Sequence, residues 1–256
     1  MLKRNPRAGA FAERRYRRGL RSWQLKNRRL FAALFGPFVI VGIVVGILTG
    51  DVITWLAGMV AGAFLAMWIA FRETPPRYVE TWREGAEGER KAEKALKPLE
   101  RAGWHVVHDV QTGHGNYDHI AVGPSGVYLL ESKNLQGIVN VKGGVPHLAR
   151  RHDPNKTEIF DRVRPCALAG AARLKKEIER RTDHRIWVQA VVVFWSEFPE
   201  GFVQDDKCVF IEGSRLRDWL QSHPQSLSQA DVEKIGAGIE GIAEDAAPVP
   251  SELSAA

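Results

Sequence analysis

Hydrophobic and polar residues divide the chain into an apolar N-terminal region and a longer region in which they alternate. No charged side chain occurs in residues 30–50 or in residues 52–71, and Asp51 alone separates these two runs. One helix over both runs would be about 60 Å long, twice the roughly 30 Å of hydrocarbon in a bilayer. The pattern therefore predicts two transmembrane helices, residues 31–49 and 52–71, joined by a short turn.

Positive charge around this predicted hairpin indicates its orientation. Residues 1–30 contain eleven Lys or Arg and a single Glu, and further Arg residues follow the second run. Segments rich in Lys and Arg stay in the cytoplasm, so we expect a multi-pass protein of the cell (inner) membrane with both termini cytoplasmic. The basic arm, residues 1–30, is expected to contact anionic membrane lipid, with nucleic-acid binding as the alternative.

Glycine spacing in the two apolar runs would allow helices to pack closely. Gly42 and Gly46, like Gly58 and Gly62, are separated by three residues, and such pairs let helix backbones approach each other. They would pair the two spans or join copies of the chain in a homo-oligomer.

The rest of the chain predicts one cytoplasmic domain. A Pro pair in residues 72–78 ends the second span and makes a linker. Residues 79–245 form the domain, and the tail at 246–256 is expected to be disordered. Outside residues 1–30 the chain has 25 basic and 29 acidic side chains, a net charge of −4. The basic pI therefore reflects the arm and does not indicate a nucleic-acid-binding domain.

Apolar spacing within the domain predicts helices that alternate with groups of strands. The expected elements are a helix at 80–101, strands at 104–110, 119–122, 127–132 and 138–141, a helix at 157–181, strands at 186–194 and 208–211, and helices at 214–221 and 228–243. The first four strands are short and separated by turn residues, as in a meander. This order indicates an α/β/α fold in which helices cover both faces of a mixed sheet.

Candidate chemistry lies in the second and third of these strands. A tight turn between them would place Val122 opposite Val127. The same register places Asp118 opposite Glu131. Opposed residues of antiparallel strands have Cβ atoms about 5 Å apart, so the two carboxylates would share one small volume. Strand alternation puts Lys133 on the same face as Glu131.

The opposed carboxylates of Asp118 and Glu131 suit a divalent cation. Two carboxylates this close repel each other unless a cation lies between them. Mg²⁺ binds one or two carboxylates, keeps several waters and takes its remaining ligands from substrate phosphate. The pair is therefore a candidate site for Mg²⁺ or Mn²⁺. A surface hairpin with a salt bridge is the alternative that the pattern leaves open.

Several segments of the domain together resemble a known family. They are Gly85-Ala86-Glu87-Gly88-Glu89, Tyr117-Asp118-His119-Ile120, Gly126-Val127 after the turn, Glu131-Ser132-Lys133-Asn134, and the apolar strand before Phe194. Over roughly residues 82–220 the chain resembles the nuclease-related domain, NERD, a branch of the PD-(D/E)xK phosphodiesterase superfamily. The resemblance implies a restriction-endonuclease-like core, here preceded by the two predicted transmembrane helices.

The same resemblance implies a Mg²⁺-dependent (or Mn²⁺-dependent) nuclease, a hydrolase of phosphodiester bonds in nucleic acid, with DNA as the expected substrate at the cytoplasmic face of the membrane. Asp118, Glu131 and the backbone carbonyl of Ser132 would hold the metal. Lys133 would orient or deprotonate the attacking water. Glu89 resembles the helix acid that completes such sites, directly or through water. A solvated Glu on a helix rich in Glu and Lys is an equal alternative for Glu89.

One feature departs from the family pattern and leaves the substrate contacts open, and another favours a different function. Family members often carry a Gln on the helix after the core hairpin, whereas this helix has none, so Asp161 or Arg164 would have to substitute. The acidic domain also lacks an Arg-rich strip, which favours a non-catalytic, membrane-tethered nucleic-acid-binding or scaffold module with a nuclease-like fold. Two opposed carboxylates beside a lysine favour catalysis, because a scaffold does not need them.

Four histidines raise a further alternative. They are His105, His108, His114 and His119, and such a group would suit zinc or a histidine-dependent nuclease. Their spacing follows strand alternation poorly, so ordinary polar histidines are expected.

Overall fold

The computed structural model describes residues 8–49, 52–73, 77–112, 115–150 and 153–246. They fall into two compact units, one of residues 12–83 and one that joins the residues up to Phe11 to those from Glu84 onward. The turn expected between the two apolar runs and residues 247–256 of the expected tail lie outside the described residues.

Two long helices make up most of the first unit. α1 (Ala10–Thr49) carries residues 10–30 of the basic arm and the first apolar run on one continuous helix, and α2 (Val52–Glu73) carries the second run. Large apolar side chains on both helices are exposed, including Ile47 and Leu48 at 78%. Among the described residues, no helix is both long and apolar enough to cross a membrane. The two spans expected from the sequence therefore find no support here.

The described residues of the second unit form nine strands in two sheets. The strands are β1 (His105–Thr112), β2 (Gly115–Gly123), β3 (Gly126–Lys133), β4 (Ile138–Lys142), β5 (Val145–Arg150), β6 (Asp153–Ile159), β7 (Val188–Phe194), β8 (Phe202–Asp205) and β9 (Cys208–Glu212). The larger sheet has the order β1-β2-β3-β7-β9-β8. Its first three strands form an antiparallel meander, whereas β7 is parallel to both β3 and β9. The sheet is therefore mixed, as expected.

Helices cover both faces of this sheet. α4 (Val163–Thr182) and α6 (Gln229–Ala246) share one hydrophobic core with it, while α3 (Arg77–Arg101) and α5 (Leu216–Gln221) share the other. Consecutive residues of β3 point to opposite faces of the sheet, so Leu129 packs in the first core and Leu130 in the second. Burial on both faces explains why β7 is almost continuously apolar. The α/β/α expectation is confirmed, and this arrangement fits a nuclease-like core.

The smaller sheet corrects two predictions. Its order is β4-β5-β6, so the fourth predicted strand does not continue the meander of the larger sheet. The helix predicted from residue 157 is wrong at its start, because residues 153–159 form β6 and pair with β5. Arg150 stabilises that pairing with two hydrogen bonds to the carboxylate of Glu158, at 2.5 and 2.8 Å. Pairing between separate segments leaves little trace in local apolar spacing.

Candidate active site

The β2-β3 hairpin brings two acids together at one end of the sheet. His119 pairs with Leu130, and one further step in this register brings Asp118 opposite Glu131. Oδ2 of Asp118 accepts a hydrogen bond from the backbone N–H of Ser132, at 2.9 Å. This bond fixes the Asp118 carboxylate beside the last residues of β3.

Lys133 lies against the acid two residues before it. Its Nζ donates a hydrogen bond to Oε1 of Glu131 at 2.7 Å. Burial acts to lower the pKa of Lys133, but the negative charges of Glu131 and Asp118 outweigh it and raise the pKa. Lys133 is therefore held as an ammonium between carboxylates.

The acids around Asp118 change the pKa of its carboxyl group. Burial is the largest cause that raises its pKa, and the negative charges of Glu131 and Glu89 raise it further. The charge of Lys133 and the N–H of Ser132 act in the opposite direction. Three carboxylates and one ammonium therefore influence one another in a single region.

α3 reaches this region because it packs closely on the end of β3. A Cβ at Gly88 would lie only 2.7 Å from Cβ of Asn134, so glycine permits the approach. Asn134 donates a hydrogen bond to the carbonyl of Glu84 at 3.0 Å and accepts one from Nζ of Lys91 at 3.1 Å. These contacts place Glu89, the residue after Gly88, next to the hairpin.

Glu89 is a buried acid and not a solvated residue on the helix surface. Only 7% of it is exposed. Burial, and after it the charge of Asp109, raises the pKa of Glu89 to about 7, while a hydrogen bond from the N–H of Gly9 acts to lower it. That N–H lies 2.6 Å from Oε2. The solvated alternative for Glu89 is therefore wrong.

Asp109 is an acid near the site that sequence patterning misses. It is buried, with 4% exposed, and it has a positive φ of 54°. The pairs His108 with His119 and Val110 with Tyr117 leave Asp109 across the strands from Asp118. The sequence signal for Asp109 is a break in strand alternation: Val107 and Val110 are three residues apart, yet both pack in the same core. Strand patterning cannot separate such a break from a loop.

The described histidines of this group do not form a metal centre. His108 and His119 are buried against each other, with 2.7 Å between their Nδ1 atoms, and burial lowers the pKa of His108 to about 4. His105 lies 3.4 Å from a carboxylate oxygen of Glu240, and His114 is outside the described residues. Within the described ranges, no three His, Cys, Asp or Glu side chains are arranged to hold a metal ion.

A divalent cation fits the chemistry of Asp118 and Glu131. Carboxylate oxygens are the ligands that Mg²⁺ prefers, and two suffice when water and substrate supply the rest. After burial, the charge of Glu131 is the next cause that raises the pKa of Asp118, and a cation relieves repulsion of this kind. Glu89 is engaged by Gly9 and Glu131 by Lys133. Because these bonds hold the two carboxylates to other partners, the described residues show no arrangement of three ligands around one point.

The proposed substitutes for the family Gln lie elsewhere. Arg164 forms an ion pair with Asp205 at the end of β8, with 2.6 Å between Nε and Oδ2. Asp161 is exposed in the turn before α4. Among the contacts seen in the described residues, neither touches the four candidate side chains.

A cleft of about 470 Å³ lies at the other end of β3. Its lining includes Tyr128, Trp187, Trp219 and His223, and none of the four candidate residues. The carboxylates are therefore distinct from this cleft.

Comparison with protein families agrees with the geometry. Residues 84–195 match the family model described as the nuclease-related domain, NERD. No curated protein and no solved structure matches the chain. The matched range contains Glu89, Asp118, Glu131 and Lys133. Residues 84–195 of this chain are therefore a nuclease-related domain.

Proposed function

We propose that the chain is a Mg²⁺-dependent or Mn²⁺-dependent phosphodiesterase that cleaves nucleic acid, with DNA as its substrate. The observation that carries the proposal is the β2-β3 hairpin, whose register brings Asp118 opposite Glu131 and in which Lys133 donates a hydrogen bond to Glu131. Glu89 is close enough to raise the pKa of Asp118. Shifted pKa values among neighbouring carboxylates and a lysine are common at catalytic sites. The nuclease-related family match supports the same reaction class, and the choice of DNA rests on family resemblance.

Each side chain has a defined part in this proposal. Asp118 and Glu131, with the carbonyl of Ser132, would hold the cation, and Glu89 would complete its surroundings. When bound, the metal supplies Lewis acidity toward phosphate and a more acidic water. Lys133 keeps its proton at neutral pH, because its pKa is raised. It would therefore orient the attacking water or neutralise phosphate charge as a cation.

A second candidate function is a non-catalytic module that binds nucleic acid or serves as a scaffold. The observation that favours it is the absence, within the described residues, of three side chains arranged to hold a metal ion. A module of this kind would bind DNA without cutting it, and its binding would not require the hydrogen bond between Lys133 and Glu131.

The decisive experiment is cleavage of plasmid and single-stranded DNA by the full chain with Mg²⁺, with Mn²⁺ and with a chelator. We expect metal-dependent cleavage that falls at least about 100-fold in Asp118→Asn and in Lys133→Met, the scale on which loss of transition-state stabilisation acts. Asp183→Asn and Lys156→Met are matched controls, because both parent residues are exposed and distant in sequence. Asn also tolerates the left-handed backbone of Asp183.

The outcomes separate the two functions. Cleavage that persists in Asp118→Asn and Lys133→Met would refute the catalytic proposal. DNA binding with no cleavage by any variant would favour the non-catalytic module.

We also propose that α1 and α2 attach the chain to the inner membrane, with both termini cytoplasmic. Uncharged residues 52–71 and the exposed apolar side chains of both helices support this. The full chain should therefore sediment with the membrane fraction. Release of the full chain into the soluble fraction would refute the attachment.

A further inference from the structure

The N-terminal segment of the chain contacts two of the buried acids. The backbone N–H of Gly9 donates to Oε2 of Glu89 at 2.6 Å, and that of Phe11 donates to Oδ2 of Asp109 at 2.9 Å. These contacts join residues separated by 80 and 98 positions in sequence. Ala8 and Gly9 are buried. Residues 8–11 therefore form a strap over Glu89 and Asp109.

Gly9 is the residue that lets the strap fit. Its φ is +77°, a conformation that other residues rarely adopt. A Cβ at this position would lie 3.0 Å from the carbonyl oxygen of Ala86, in the helix turn that precedes Glu89. Both the backbone conformation and the space therefore require glycine at the point of closest approach.

The strap satisfies carboxylate oxygens that a cation would otherwise use. Hydrogen bonds from N–H groups to ionised carboxylates are among the stronger protein hydrogen bonds. Glu89 accepts such a bond from the strap, while its charge is still close enough to raise the pKa of Asp118. The strap and a bound cation would thus compete for the same acid.

We propose that the strap is autoinhibitory: it is held by Asp109 and keeps Glu89 away from the cation site, and its release allows Glu89 to join Asp118 and Glu131. This inference rests on the proposed metal-dependent function. It assigns Asp109 a positioning role, since Asp109 holds the strap through Phe11 and need not touch substrate.

The test is Mn²⁺ binding by titration calorimetry on the full chain. Hydrogen exchange is the second readout, at residue 9 in every variant and at residue 11 in the variants that keep its N–H. Gly9→Ala introduces the clash with Ala86. Phe11→Pro removes the N–H that bonds to Asp109, and Pro is tolerated in the first turn of α1. Both variants should exchange faster in the strap and bind Mn²⁺ about tenfold more tightly, the effect of losing roughly one charged hydrogen bond.

Gly19→Ala is the matched control for Gly9→Ala. A Cβ at Gly19 would make an ordinary contact of 3.5 Å with Val79, so Mn²⁺ affinity should equal that of the unmodified chain. Phe11→Leu is the control that keeps the N–H.

The results distinguish failure of the strap from failure of the enzyme. Faster exchange with unchanged Mn²⁺ affinity, or no Mn²⁺ binding by any variant, would overturn the strap. Metal-dependent cleavage by the unmodified chain that Gly9→Ala does not increase would do the same while leaving the nuclease intact. Tighter Mn²⁺ binding without cleavage in any variant would support the strap and refute the phosphodiesterase.

Discussion

The charge state of Lys133 limits its chemical role. A general base must lose its proton readily near the working pH, and the carboxylates around Lys133 raise its pKa above the usual value for lysine. Its Nζ is also engaged as a donor to Glu131. Of the two roles that family resemblance implies, orientation of water or phosphate by a fixed cation agrees better with these surroundings than deprotonation does.

Lys133→Arg separates these roles. Arg keeps the positive charge but cannot act as a base at neutral pH. We expect it to retain cleavage within about tenfold of the unmodified chain, whereas Lys133→Met loses at least about 100-fold. Cleavage measured over a pH series around neutrality should show no limb due to Lys133, because its raised pKa keeps it protonated there. Complete inactivity of Lys133→Arg, with unchanged Mn²⁺ affinity, would instead favour the base.

Sequence patterning reaches only some of the residues in the candidate site. Asp118 and Glu131 are joined by a hairpin, so a turn and the alternation of a strand suffice to place one opposite the other. Asp109 lies near the site because its backbone adopts a positive φ. Gly9 and Phe11 reach the acids through contacts between residues 80 or more positions apart in sequence. Nothing in local alternation encodes such contacts, and these residues therefore become evident only in the folded chain.

At the scale of elements, the site depends on how closely α3 packs on β3. Gly88 meets Asn134 where the two elements touch, whereas Gly85 on the same helix has open space where a Cβ would be. The two glycines lie one turn apart on the same helix. Substituting each with alanine therefore separates the effect of packing on β3 from the effect of helix propensity.

Gly88→Ala should destabilise the domain and weaken the site. The added methyl overlaps Asn134, so α3 must shift, and forced overpacking costs about 1–3 kcal/mol. Gly85→Ala should instead stabilise the chain by about 0.5–1 kcal/mol, because alanine favours a helix over glycine. Urea unfolding followed by circular dichroism measures both. Equal effects of the two substitutions would show that the packing at Gly88 does not hold α3 in place.

Elements are predictable where one face or both faces of a segment are continuously buried. The helix at 80–101 and the apolar strand that ends at Phe194 agree with α3 and β7 because their burial follows a regular period. β6 does not follow from the pattern. Its apolar Ile159 is 61% exposed, and its strand conformation depends on pairing with β5. β8 has four residues, too few to establish a period.

Across the whole molecule, charge is distributed unevenly. Residues 1–30 carry eleven basic side chains and one acid, whereas the rest of the chain has a net charge of −4. Affinity for nucleic acid depends largely on phosphate neutralisation by Lys and Arg. A nuclease-related domain that is itself acidic would therefore gain affinity for DNA from the arm, and the same arm would suit anionic lipid.

Changing Arg14, Arg18 and Arg21 together to Gln tests which polyanion the arm binds. All three side chains are exposed on α1. If they bind DNA, the slope of log K against log salt should decrease by about 0.9 for each phosphate that the arm no longer neutralises, while cleavage at saturating DNA stays unchanged. Arg90, Lys94 and Lys97 form the matched control, since they are exposed on α3 with the same spacing. An unchanged DNA slope with weaker binding to anionic vesicles would assign the arm to lipid, and the acidic domain would then have to bind its substrate through the metal.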